Sequence, residues 1–224
     1  MMTRRMRWLS TGLLAAAGLA AVLVPASPSH AAEVSPSAYV AKASIKLLGS
    51  QPVTAGPLAY ANSSSPRASV ASIPVLRLAS VGVGQSTVGD DYGTGAQVAT
   101  ATVAKLKAAL AGLDVVAGVS LNAKVVTARC TAVPGEGLTG TTRIVGGTLG
   151  AISLPMSPGA NWALRIPSPV LGEPSLGTLV LNEQIPNPDG SLTVYGAHLK
   201  LNAVKDLGLA SADLVVAAAT CGPA

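Results

Sequence analysis

The residues best suited to chemistry lie in one short region, Asn182, Glu183, Gln184 and His198. His198 is the only histidine after His30, so a Ser-His-acid triad in the exported chain would have to use it. No G-x-S-x-G motif accompanies it, and a single histidine cannot form a multi-histidine metal centre. The sequence therefore predicts no catalytic constellation, no metal site and no cofactor.

A predicted hairpin positions these side chains, with strands at 177–185 and 191–201. The Pro-Asn-Pro-Asp-Gly turn between them ends in a glycine that accepts positive φ. If Ile185 faces Ser191, strict alternation places Glu183 on the apolar face and His198 on the other. Asn182 would lie about 13 Å along the strand from His198. We therefore predict that Glu183 and His198 form no dyad.

Two interpretations of Glu183 follow from this placement. A carboxylate on an apolar face needs partners, which predicts a hydrogen-bonded acid that stabilises the hairpin or the sheet edge. Alternatively, Asn182, Glu183 and Gln184 contact a ligand or cation, with His198 as a further contact. For His198 itself we expect a structural or surface role.

Aromatic platforms for sugar binding are few in this chain. Trp162 lies between Asn161 and Ala163 and suits the core as well as a stacking surface. The other rings after residue 31 are Tyr39, Tyr60, Tyr92 and Tyr195.

Residues 1–31 are typical of a secretory signal peptide. A basic start with three arginines precedes the uncharged apolar run Trp8 to Val24, and the segment ends in Ser29-His30-Ala31. We expect cleavage between Ala31 and Ala32, after export by the general or the twin-arginine route. The mature chain is then expected to have no integral membrane span.

Export also decides how the two cysteines are interpreted. Cys130 and Cys221 both end apolar runs, and an even number in an exported chain favours a disulfide over metal binding or nucleophilic chemistry. We predict that this disulfide ties two strand ends together.

Proline and glycine divide residues 32–224 into many short, strand-like pieces. This pattern predicts one all-β domain, an antiparallel β-sandwich or a small β-barrel. Residues 49–68 are predicted to form a loop. Residues 98–113 fit a strand or a helix, because they begin with strand alternation but space Val103, Leu106, Leu110 and Leu113 helically. We expect a strand that runs into a short helix or loop.

The formal charge of +5 overstates how basic the exported chain is. Without the three leader arginines, 12 basic and 10 acidic residues remain. The basic residues are scattered along the sequence, so we predict no nucleic-acid partner. The expected partner is a cell-envelope or extracellular protein, or a second copy of the chain.

The C-terminal half resembles the proteins called choice-of-anchor P, secreted or surface proteins mainly of actinobacterial type. Weaker similarity extends to about Tyr39. The resemblance rests on residues 125–130 (VVTARC), 140–142 (GTT), 181–184 (LNEQ), 192–199 (LTVYGAHL), 212–216 (ADLVV) and 221–222 (CG). It implies a β-rich exported domain followed by a surface-anchoring tail, and it implies no known enzyme activity.

The sequence thus predicts a non-catalytic extracellular or cell-envelope protein with a structural, adhesive or interaction role. The alternative is a secreted hydrolase or carbohydrate-binding module that uses Glu183 or His198. No sorting motif or apolar span follows Cys221, so we expect a chain that is released or retained non-covalently at the cell surface.

Overall fold

The computed structural model describes residues 34–76, 79–109, 120–168, 175–202 and 209–222. The predicted leader and the junction between Ala31 and Ala32 lie outside these residues. Within them the chain forms 14 strands. They are β1 (Ser37–Leu47), β2 (Val53–Leu58), β3 (Ala61–Asn62), β4 (Arg67–Val75), β5 (Ala79–Asp91), β6 (Ala96–Ala109), β7 (Ser120–Val133), β8 (Gly137–Val145), β9 (Thr148–Leu149), β10 (Ile152–Ser153), β11 (Trp162–Ile166), β12 (Gly177–Pro186), β13 (Leu192–Leu201) and β14 (Leu209–Cys221).

The strands form two antiparallel sheets of seven strands each. Sheet one has the order β11-β12-β13-β14-β1-β2, with β3 paired to β1. Sheet two has the order β10-β9-β7-β6-β5-β4, with β8 paired to β7. Neither sheet closes on itself, so the predicted all-β fold is confirmed as a β-sandwich rather than a barrel. Among the described residues, no helix is long and apolar enough to cross a membrane.

Small aliphatic side chains fill the space between the sheets. Leu106, Leu179 and Leu199 are among its larger members, alanine and valine supply much of the rest, and the chain contains no phenylalanine. The sheets therefore approach closely in places. A Cβ added at Gly84 would overlap Val40 of the opposite sheet. In such a close-packed interior, one extra methyl group disturbs its neighbours.

The predicted disulfide is present between Cys130 and Cys221, whose Cα atoms are 5.5 Å apart. Both residues are fully buried. Because Cys130 lies on β7 of sheet two and Cys221 on β14 of sheet one, the bridge fastens the two layers of the sandwich to each other.

A line of altered backbone crosses sheet one and reverses which side chains face the core. On β12 it passes through Asn182 with φ 50°, and on β14 through Ala217 with φ 56°. On β13, between them, it passes through Gly196. On β13 the core positions before this line are even-numbered and those after it are odd-numbered, as Val194 and Leu199 illustrate. We call this feature the inversion line of sheet one.

Sheet two has a matching inversion line. It passes through Ser72 on β4 with φ 49° and Lys105 on β6 with φ 55°. Val103 and Leu106 both point into the core because the alternation reverses between them. Their spacing of three residues therefore reflects the inversion and not a helix. Of the ambiguous segment 98–113, residues 98–109 belong to β6, and residues 110–113 lie outside the described residues.

Two local predictions are wrong. Residues 49–68 contain strands β2 and β3 and the start of β4, where a loop was expected. The predicted hairpin of β12 and β13 is present, but Ile185 faces Thr193, two residues from the expected partner. A shift of two residues keeps each side chain on its face, so this slip does not affect the face assignment.

Candidate functional site

Glu183 and His198 lie side by side on the outer surface of sheet one. Nδ1 of His198 is hydrogen-bonded to Oε2 of Glu183, and Nε2 lies 2.8 Å from Oδ2 of Asp213. Lys200 donates a hydrogen bond of 2.7 Å to Oε1 of Glu183. The prediction that Glu183 and His198 form no dyad is therefore wrong.

The inversion line explains this error. His198 faces Val180, three residues before Glu183, and both positions lie on the same side of the inversion line. Glu183 follows Asn182, where the alternation reverses, so its side chain emerges on the same outer surface as His198. Strict alternation would have kept them on opposite faces. The backbone at Asn182 and Gly196 thus creates the contact.

Three strands contribute to this cluster of Glu183, His198, Lys200 and Asp213, which we call the ion cluster. Glu183 comes from β12, His198 and Lys200 from β13, and Asp213 from β14. Lys200 faces Asp213 directly across the strand pair. The network therefore links the outer surfaces of three neighbouring strands.

The hydrogen bonding of His198 determines what the cluster can do. A neutral imidazole has one N–H group, and an ionised carboxylate can only accept. Both ring nitrogens face carboxylates, so only the doubly protonated ring satisfies both bonds. The side chain of His198 is 9% exposed, whereas that of Asp213 is 49% exposed. His198 is thus buried, and neither of its ring nitrogens is free.

The carboxyl group of Glu183 is influenced by opposing effects. Partial burial disfavours its ionised form, but hydrogen bonds from Lys200 and His198, together with their positive charges, outweigh burial and lower the pKa of Glu183. Glu183 therefore remains a carboxylate at neutral pH and is suited to accept hydrogen bonds from Lys200 and His198.

Two tyrosines border the ion cluster. Tyr39 and Tyr195 both face Ala218 on β14, from its two sides. Burial, followed by interactions with Tyr195 and Asp213, raises the pKa of Tyr39. The ring of Tyr195 packs edge-on against His198, with centroids 5.3 Å apart. Tyr39 therefore stays neutral, and His198 is covered on one side.

Asn182 and Gln184 lie on the inner side, away from Glu183. Asn182 accepts a hydrogen bond of 3.2 Å from Thr142 on β8 and donates one of 3.2 Å to the carbonyl oxygen of Pro158. Gln184 donates a hydrogen bond of 2.8 Å to the carbonyl oxygen of Gly140. These two residues connect sheet one to sheet two. The expected ligand group is therefore divided between two sides of the sheet.

Four clefts formed by described residues have volumes of about 270 to 510 Å³. Glu183, His198 and Trp162 line none of these four. Trp162 is half-buried and packs against the core, while Tyr92 is fully exposed at the tip of the β5–β6 hairpin. Within the described part of the chain, no three His, Cys, Asp or Glu side chains are arranged to bind a metal.

One of these clefts contains arginines that the sequence analysis did not select. Arg129 of β7 and Arg143 of β8 line a cleft of about 380 Å³, together with Thr127, Thr141, Thr142, Ser157, Pro158 and Asn182. Asn182 is the only predicted site residue in this cleft. The available signal was the Thr-x-Arg pattern at 127–129 and 141–143, which places both arginines on one face of a hairpin.

Comparisons with protein-family models, with curated proteins and with solved structures give no match for this chain.

Proposed function

We propose that this chain is an exported, non-catalytic protein of the cell exterior, with a structural, adhesive or interaction role. The observation that carries the proposal is the state of His198, whose two ring nitrogens are both engaged by carboxylates. A general base must present a free nitrogen to the proton that it removes. The ion cluster is better suited to stabilising sheet one than to acting on a substrate.

Three further features support an extracellular setting. The leader-like composition of residues 1–31 is typical of export. A buried disulfide between the two sheets suits an oxidising compartment. The resemblance to choice-of-anchor P proteins points to the same location, and we propose that the chain is related to them.

Export and binding are tested on the natural full-length chain. Cells and medium are separated, the protein is recovered from each fraction, and its N-terminus is sequenced. We expect the mature chain to begin at Ala32 and to occur in the medium or bound to the envelope. Cross-linking on intact cells should then capture an extracellular neighbour or a second copy. A protein that stays inside the cell with residues 1–31 attached would contradict the proposal.

The alternative of a secreted hydrolase is tested with the substitutions Glu183→Gln and His198→Ala. The purified wild-type protein is assayed on a panel of glycans and esters. We expect no turnover that these substitutions remove. Hydrolysis that is lost in both variants, while their circular dichroism spectra remain those of the wild type, would establish the enzyme instead.

A further inference from the structure

The outer surface of sheet two carries positive charges whose arrangement differs from that of the ion cluster. Arg129 faces Thr141 across the β7–β8 pair, and Thr127 faces Arg143. The two arginines are therefore diagonal neighbours on one face, a separation of about 7–8 Å in an antiparallel pair. Both are exposed and line the same cleft of about 380 Å³.

Within the described residues, neither arginine has a carboxylate within ion-pair distance. Arg129 uses Nε for a hydrogen bond of 3.3 Å to the hydroxyl group of Thr131. Each guanidinium has five N–H groups, so most of their donors are free to bind a ligand. Two like charges at this separation repel each other, and a bound anion would relieve that repulsion.

The rest of the cleft wall is rich in hydroxyl groups. Thr127, Thr141 and Ser157 can each donate and accept hydrogen bonds. Arginine pairs with carboxylate or phosphate oxygens through two parallel hydrogen bonds. The combination of guanidinium and hydroxyl groups complements a ligand that carries both oxyanions and hydroxyl groups, which is the chemistry of an acidic sugar.

A neighbouring cleft extends this surface. Arg129 also lines a cleft of about 400 Å³ that contains Arg67 and Thr87. Arg67 lies three strands from Arg129, or about 14 Å. Asp90 and Asp91 line the same second cleft and make it less positive. The strongest anion site is therefore at Arg129 and Arg143, with a weaker extension toward Arg67.

We propose that the cleft of Arg129 and Arg143 binds the repeated oxyanions of an acidic polysaccharide. Arg129 belongs to both clefts, so consecutive charged units of one polymer can contact Arg143, Arg129 and Arg67 in turn. This inference rests on the proposed function, because it names the kind of extracellular partner that the domain binds.

Binding is measured with the mature protein and four immobilised polymers at low ionic strength. Polygalacturonate presents carboxylates, phosphomannan presents phosphates, dextran is neutral, and polyglutamate is an acidic polymer without sugars. We expect binding to polygalacturonate, phosphomannan or both, with much weaker binding to dextran and polyglutamate. Comparing the binding to polygalacturonate with the binding to phosphomannan shows whether the cleft prefers carboxylates or phosphates. Binding should weaken as salt is added, because the arginines are exposed.

The substitutions Arg129→Gln and Arg143→Gln should each weaken polysaccharide binding about tenfold, as expected for the loss of one charge-assisted contact. The double variant should weaken it further. Arg165→Gln is the matched control, because Arg165 is an exposed arginine on β11 of sheet one. It should bind within about twofold of the wild type. Unchanged thermal unfolding midpoints show that the variants are folded.

Three results would overturn the proposal. The first is no binding to either acidic polysaccharide. The second is polyglutamate binding as tight as polysaccharide binding, which would indicate a general polyanion surface. The third is equal loss in Arg165→Gln and Arg129→Gln, which would reflect net charge alone. In each case, export of the double variant decides the proposed function separately: if its mature chain begins at Ala32 and is recovered from the medium or the envelope, only this site fails.

Discussion

Replacing Glu183 with glutamine removes a negative charge from the ion cluster and leaves the shape of the side chain nearly unchanged. The wild-type carboxylate uses one oxygen for Lys200 and the other for His198. Glutamine has only one acceptor oxygen, and its NH₂ group faces a donor at the second position. Either Lys200 or His198 must therefore lose its partner.

The exposed fractions of the Lys200 and His198 side chains decide which of them loses its hydrogen bond to residue 183. The side chain of Lys200 is 46% exposed and can turn toward water, whereas that of His198 is 9% exposed. We expect the glutamine oxygen to stay with His198 and Lys200 to become hydrated. A hydrogen bond to a charged group contributes about 1.5–3 kcal/mol. Solvent screening at Lys200 reduces that figure, so the variant should lose about 1–2 kcal/mol at neutral pH.

The loss should depend on pH in a defined direction. The pKa of Glu183 is lowered in the folded protein from an ordinary value of 4.5. A lowered pKa gives stabilisation that is fully present above the unfolded value and disappears as pH falls through the folded value. The wild-type protein therefore loses this contribution below about pH 4.5, and the glutamine variant never has it. Their unfolding free energies should converge as the pH falls further into the acid range.

Urea denaturation of both proteins, at pH values from neutral to acid, measures this convergence. Glu136→Gln is the matched control, because Glu136 is exposed in the β7–β8 turn. The control should differ from the wild type by less than about 0.5 kcal/mol throughout. If Glu183→Gln matches this control at neutral pH, or if its loss persists unchanged at low pH, the charge-assisted network does not stabilise the fold as argued.

Three other predictions concern the framework of the sandwich. The Cys130–Cys221 disulfide joins residues that are 91 positions apart, and its reduction should lower the unfolding free energy by about 4–5 kcal/mol. Denaturation with and without reductant measures this loss. Unreduced, denatured protein should show no titratable thiol. Gly84→Ala should destabilise by about 1–3 kcal/mol because its methyl group overlaps the opposite sheet, whereas Gly89→Ala, which meets nothing within 4 Å, should leave the thermal midpoint nearly unchanged. Lys105→Gly should stabilise by up to about 1 kcal/mol in urea denaturation, since φ is 55° there, and Lys107→Gly on the same strand should destabilise instead.

The all-β sandwich and the disulfide were both predictable from the sequence. Each depends on signals that act over a few residues or on simple counting: short alternating strands between turns, and two cysteines after a leader-like segment. The hairpin of β12 and β13 was also predicted, because the Asp-Gly turn at 189–190 specifies it locally. What the sequence could not supply was the distance between side chains on different strands.

The ion cluster was missed because alternation was assumed to continue along each strand. Asn182 is a common residue in the left-handed region, but Ala217 and Lys105 adopt positive φ without any sequence signal. Such conformations are imposed by the neighbouring strands, since the inversion crosses every central strand at the same level. The sequence of one strand therefore cannot show where its core face changes.

The arginine cleft was missed for a different reason. In the sequence, Arg67 is far from Arg129 and Arg143, and single cations were interpreted as isolated charges. Pairing β4 through β8 in one sheet places these side chains on a single surface. Charge clustering in a sheet depends on topology, which scattered positions along the chain do not reveal.

The charged side chains on the outer surfaces of the two sheets differ in whether they have partners. In the ion cluster of sheet one, the charges satisfy one another: His198 lies between two carboxylates, and Lys200 pairs with Glu183. A ligand that took any of these groups would first have to break the network, so this surface favours stability over recognition. On sheet two, Arg129 and Arg143 have no such partners among the described residues, and their exposed N–H groups gain most from an external anion. We therefore expect binding at sheet two, and substitutions in the ion cluster should change stability while leaving that binding intact.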